Sequence, residues 1–235
     1  MTAAALVLLF AMLPPQASSA AYPWVYPGDF RDRLRMSDLV VSGTIQRTQA
    51  VGTRVVDGWK LTAHDARVQV DRVFQGEAVP GEELAFTWFL PDIPAGGGFI
   101  YSGPPIANLQ PGKRYLIFLK HTDSGCWRVA MPLFALEVEL NPSPPAGATR
   151  DLRQAPTKDR YRAIAEELEA MALAQPVPAP GTTGEAAMVF SAVYDLIGGC
   201  AEPLYRHFLK SRSLELRRAA MNWLDLIRTR KLSCQ

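Results

Sequence analysis

Cysteine, histidine and net charge are all scarce in this chain, and each scarcity removes a class of function. Only three cysteines occur in 235 residues, Cys126, Cys200 and Cys234. They lack the close paired spacing of a zinc site, and with histidines only at 64, 121 and 207 no ligand pair stands at helical or hairpin spacing, so no metal centre is expected. A formal net charge of +2 excludes binding of polyanions through the charge of the whole molecule. Beyond the first residues no run is long and apolar enough to cross a bilayer as a helix. Pro94-Ala95-Gly96-Gly97-Gly98 lacks the lysine and Ser/Thr of a phosphate-cradling loop, and no aromatic RNA-binding motif is present. No cofactor is expected.

What is present begins with an export signal. Ala3 to Leu13 is an almost unbroken apolar run, Pro14 and Pro15 end it, and Ser18-Ser19-Ala20 supplies small residues for cleavage. No Lys or Arg precedes the run. Residues 1–20 are therefore read as a signal peptide, with retention as an anchor the alternative, and the protein as periplasmic or extracellular. Export permits a disulfide, and an odd count leaves one thiol over. Cys200 with Cys234 is the expected pair, since both lie in the same helical region; three unpaired thiols are the alternative.

Residues 21–140 carry strand signals. Tyr22, Trp24 and Tyr26 sit between prolines, which forbid a regular helix and predict an extended arm. Asp29 to Met36 fits one or two helical turns. Leu39 to Ile45 reads as a first strand, in which Gly43 marks a bulge or a close backbone approach. Lys60 to Phe74 alternates, with Ala66, Val68 and Val70 against Arg67, Gln69 and Asp71. Leu84, Phe86 and Trp88 alternate again. Arg114 to Leu119 is nearly all apolar and reads as a strand buried on both faces, and Trp127 to Ala130 and Phe134 to Leu140 complete the set. Short strands without intervening helices predict an antiparallel sheet, closed or sandwiched.

Residues 141–184 read as proline-rich linkers, or a strapped loop, around one amphipathic helix at 157–173. Its apolar face is Tyr161, Ile164, Ala165, Leu168 and Met171; Arg160, Glu166, Glu167 and Glu169 take the opposite one. Residues 185–235 read as helices. Ala192-Val193-Tyr194-Asp195-Leu196-Ile197 is echoed by Met221-Asn222-Trp223-Leu224-Asp225-Leu226-Ile227, as in a solenoid unit. The end of the chain from Pro203 holds eight Lys/Arg against two Asp/Glu, so membrane contact is expected only through these basic helices.

Three segments within 37–130 resemble the netrin-module and tissue-inhibitor-of-metalloproteinase-like barrels: Asp38-Leu39-Val40-Val41-Ser42-Gly43, Val70-Asp71-Arg72-Val73-Phe74-Gln75-Gly76 and Pro111-Gly112-Lys113-Arg114-Tyr115-Leu116. The resemblance implies an oligonucleotide/oligosaccharide-binding (OB) type barrel. Inhibitors of that group chelate a protease metal through an N-terminal cysteine; no cysteine precedes Cys126 here, and no functional residue carries over. Leu216-Arg217-Arg218-Ala219-Ala220 resembles a HEAT-type helix. The fold expected is α+β, an antiparallel OB-like barrel followed by a small helical module.

No nucleophile, base and orienting group can be assembled from these residues. His121-Thr122-Asp123-Ser124-Gly125 packs catalytic residue types together, but a triad needs convergent geometry rather than neighbours in sequence, and an aspartic site needs a second carboxylate loop. Asp-Ser-Gly between strands is a turn signal. His64-Asp65 reads as a solvated strand start. The function expected is a non-enzymatic binding protein with a protein partner and no nucleic acid. A protease inhibitor is the alternative, and a hydrolase is the remaining class. Candidate binding residues are aromatics, which anchor interfaces: Tyr22, Trp24 and Tyr26 of the arm, and Trp88, Phe89, Phe99 and Tyr101 flanking the glycine loop.

Overall fold

The computed structural model describes residues 30–56, 59–91, 109–129, 138–174 and 185–230, all of which belong to one compact unit. A short helix α1 (Phe30–Met36) precedes strands β1 (Leu39–Val56), β2 (Trp59–Gln75), β3 (Glu83–Pro91), β4 (Arg114–His121), β5 (Trp127–Val129) and β6 (Val138–Glu139). Helices α2 (Thr157–Ala174), α3 (Glu185–Ile197), α4 (Glu202–Phe208) and α5 (Leu214–Arg230) follow. The protein is thus mixed α+β, with the larger helices C-terminal to the sheet.

The sheet order is β1-β2-β3-β5-β4-β6, and β1 also pairs with β4. The first five strands therefore pair in a cycle. A cycle of five cannot reverse direction at every step, so one pair must be parallel. It is β3–β5, joined at Phe86↔Trp127 and Thr87↔Arg128. The expectation of a wholly antiparallel sheet is corrected on this point. β4 lies among β1, β5 and β6, and Arg114 to Leu119 are all buried, as its apolar run predicts.

Alternation places Leu39, Val41, Ile45, Val68, Val70, Phe86, Ile117 and Leu119 in one apolar cluster. At Gly43 the β1–β2 register shifts, and a Cβ there would collide with the carbonyl oxygen of Gln69. The strand bulges where the partner backbone comes closest, which only glycine permits. Gly76 does the same after β2: its φ is 90°, and a Cβ would strike the Asp38 carbonyl oxygen.

The proline-rich stretch after β6 is a strapped loop. The Val73 amide donates to the Arg150 carbonyl at 2.8 Å, and the Leu152 amide donates to the Val73 carbonyl at 2.9 Å. Arg153 folds back onto Asp151, and its hydrogen bonds hold that carboxyl down at about 2. Residues 175–184 lie outside the described residues.

Helix α2 buries Ile164, Ala165, Leu168 and Met171, as its spacing predicts, with Ala172 beside them and Tyr161 half-buried, and packs on α3. Its Glu167 departs from expectation, being 1% exposed. Residue 167 stands four after Ala163, three after Ile164 and four before Met171, so helical geometry turns it toward the buried side. Helices α3, α4 and α5 share aromatic contacts. Phe190 meets Tyr205 edge-on at 5.3 Å, Tyr205 stacks on Trp223 at 6.0 Å, and the Tyr205 hydroxyl donates to the Phe190 carbonyl at 2.7 Å. Burial and this neighbourhood push the Tyr205 phenol well above its ordinary pKa. Ser213 caps α5 by accepting from the Leu216 amide. Helix α1 ties the two parts: Phe30 packs edge-on against Phe118 of β4 at 5.4 Å, and its amide donates to Asp195 of α3.

Candidate functional site

Two constellations of polar side chains stand out, one buried and one exposed. The buried one joins the sheet to α2. Arg72 donates to Glu167 Oε1 at 2.7 Å and, through Nε, to the Thr149 carbonyl at 2.9 Å. Arg114 grips both oxygens of Glu167 at 2.8 Å, donates to Ser42 Oγ at 2.7 Å, and reaches Asp71 through Nε at 2.8 Å. Burial works against the charge on Arg114, but the Glu167 carboxylate, then Asp71, outweigh it and hold its pKa above the ordinary value. Arg72, Arg114 and Glu167 are each about 1% exposed, so solvent does not reach them. All three nitrogens of Arg114 and two of Arg72 meet acceptors, which makes this cluster a brace between layers.

The exposed constellation lies on the same outward side of the strands, facing away from the apolar cluster and farther along β1 and β2. Residues Arg47 and Gln49 of β1, Asp65 and Arg67 of β2, and Ala85 and Thr87 of β3 alternate outward. Together with Phe86, Gly125, Cys126 and Trp127 they line an open groove of about 410 Å³. The pairing sets these residues in two rows. In one, Arg47 is opposite Arg67, which is opposite Ala85. In the other, Gln49 faces Asp65, Asp65 faces Thr87, Thr87 faces Arg128, and Arg128 faces Lys120. Arg67 is paired with Glu83, and the Thr87 hydroxyl donates to Asp65 at 3.1 Å. Arg47, Lys120 and Arg128 have no ion-pair or hydrogen-bond partner for their cationic groups among the described residues.

The wall of the groove is the turn between β4 and β5. The Thr122 amide donates to the Cys126 carbonyl at 2.9 Å, and Gly125 has a φ of 79°. His121-Thr122-Asp123-Ser124-Gly125 is therefore a hairpin turn, as read from Asp-Ser-Gly. Its His121 packs edge-on against Trp127 at 5.0 Å. Cys126 is an exposed, free thiol; Cys200 is disulfide-bonded, and its expected partner Cys234 lies outside the described residues.

Of the aromatic candidates, Trp88 and Phe89 are 2% and 6% exposed and belong to the apolar cluster, so neither offers a surface to a partner. The alternation that buries Phe86 buries Trp88 with it. Tyr22, Trp24, Tyr26, Phe99 and Tyr101 lie outside the described residues. His64 stands midway along β2 rather than at a strand start, tilted over Trp88 at 4.7 Å, and burial lowers its pKa. Sequence reasoning missed the groove because its polar residues occupy three strands in ordinary alternation. Only the register, which puts Arg47 across from Arg67, singles them out. Among the described residues no group of three or more metal-ligating side chains occurs. No protein-family model matches the chain, and no curated protein matches it.

Proposed function

We propose that this is an exported, non-enzymatic binding protein built on an OB-type barrel, and that the groove walled by the β4–β5 turn is where it meets a protein partner. The cyclic pairing of five strands supports the barrel, since closure leaves none of the five with a free edge. The observation that carries the binding reading is the pairing of like charges. Arg47 opposite Arg67, and Lys120 opposite Arg128, set cation against cation, which disfavours a strand pair. A surface that holds such pairs beside an open groove is suited to a ligand more than to its own stability. The resemblance to netrin-type barrels supports the fold part of the reading.

The free thiol supplies the test. Cys126 lines the groove, so a bulky maleimide on it fills the space without changing any other described residue. The tagged protein, untreated or alkylated, is used to capture partners from the extracytoplasmic fraction of its own host. Saturable retention of one protein, abolished by alkylation, is expected. Retention indifferent to alkylation, or no specific retention, overturns the reading.

A further inference from the structure

We infer that the groove takes an extended acidic peptide segment, with its carboxylates carried by Arg47 at one end and Arg128 at the other. This deepens the reading above and rests on it. Three cations on the face, Arg47, Arg128 and Lys120, have no partner for their charge among the described residues, against one acid that keeps its charge, Asp65, hydrogen-bonded to the Thr87 hydroxyl; Glu83 is paired with Arg67. The uncompensated charge is therefore positive, and it lies at the margins of the groove. The floor is made of small or short residues, Ala85, Thr87 and Gly125, which let a chain lie close to the sheet. Guanidinium groups suit carboxylates because two parallel N–H groups meet two oxygens.

The same residues argue against a uniform polyanion. The Asp65 carboxylate lies in the groove one outward step along β2 from Arg67, opposite Gln49. A phosphate or sulfate at every unit would be pressed against it. A peptide instead interleaves carboxylates with neutral residues, and its backbone N–H groups are donors for Asp65 and for the side-chain oxygen of Gln49. Along the sheet surface over β2 and β3, the path from Arg47 to Arg128 crosses three strand spacings with an offset of one two-residue step, about 16 Å, which an extended chain following that surface covers in about five residues. Acidic residues about five apart are the spacing the face selects.

The probe is a synthetic serine–glycine peptide with glutamates five positions apart, titrated into the full protein at low ionic strength and followed by the NMR resonances of the groove residues. Saturable shifts are expected at Arg47, Thr87 and Arg128. Binding is expected to weaken by about tenfold in Arg47→Glu or Arg128→Glu, to weaken with added salt, and to be unchanged in Arg212→Glu, an exposed cation outside the groove. A peptide of the same composition with adjacent glutamates binds more weakly. Absence of saturable shifts, indifference to both reversals, or tighter binding of a single-stranded oligonucleotide or a sulfated polysaccharide at the same arginines overturns the inference. Alkylation of Cys126 separates the two levels. If it still abolishes partner capture while the peptide fails, the acidic ligand falls and the groove stands; if it does not, both fall.

Discussion

A single methyl group at position 43 is enough to press two strands apart. Gly43 faces the Gln69 carbonyl across the β1–β2 pair, and a Cβ there would meet backbone as well as the Val68 side chain. Backbone cannot swing aside as a side-chain tip can. Gly43→Ala is therefore expected to destabilise the protein by about 1–3 kcal/mol, the range of overpacking. Urea denaturation checks it: an unchanged midpoint would show that the strands are not in contact there. This residue was legible in the sequence, because a glycine inside an apolar strand has few other uses. Trp88 was less so. Its aromatic bulk suits an interface and a core equally, and only the neighbouring alternation of Leu84 and Phe86 decides between them. Arg47 was not legible at all, since its meaning comes from the residue opposite rather than from its neighbours in the chain.

At the scale of elements, the joint between α2 and the sheet is the most consequential. An amphipathic helix is readable at 157–173, and Ile164, Ala165, Leu168 and Met171 of its apolar face are buried while Tyr161 is half-buried, yet Glu167 reads as a solvated acid. The error has a physical source. A carboxylate is a strong sign of solvent unless two cations wait on another element, and Arg72 and Arg114 come from strands far away in the sequence. Local pattern cannot show that. The expected consequence is non-additive. Glu167→Gln removes the charge that neutralises two buried guanidinium groups and is expected to cost about 3–5 kcal/mol. Replacing Arg72, Arg114 and Glu167 together by methionine, methionine and leucine is expected to cost much less, because no unpaired charge remains buried. Thermal unfolding of the two variants checks the order. A triple variant less stable than Glu167→Gln would show that the cluster contributes net stability rather than fixing the seating of α2.

For the molecule as a whole, the question is whether sheet and helices open together. The proline-rich residues 141–156 offered both a linker and a strap, and composition alone cannot separate the two; the hydrogen bonds of Val73 to Arg150 and Leu152 make them a strap. The buried cluster then couples α2 to β2 and β4, α2 packs on α3, and Phe30 reaches from β4 toward Asp195. Opening the helices alone would expose two buried arginines without their carboxylate, which raises the cost of partial unfolding toward that of the whole. Native-state hydrogen exchange at low denaturant should therefore give the Val68 amide in β2 and the Val193 amide in α3 the same opening free energy. In Glu167→Gln both should fall by the same amount. Exchange at Val193 that is faster by more than about 2 kcal/mol in free energy would instead define the helices as a separate cooperative unit. The buried cluster would then hold α2 to the sheet without coupling it to α3, and the groove, which no helix residue lines, would be insulated from anything that binds α3, α4 or α5.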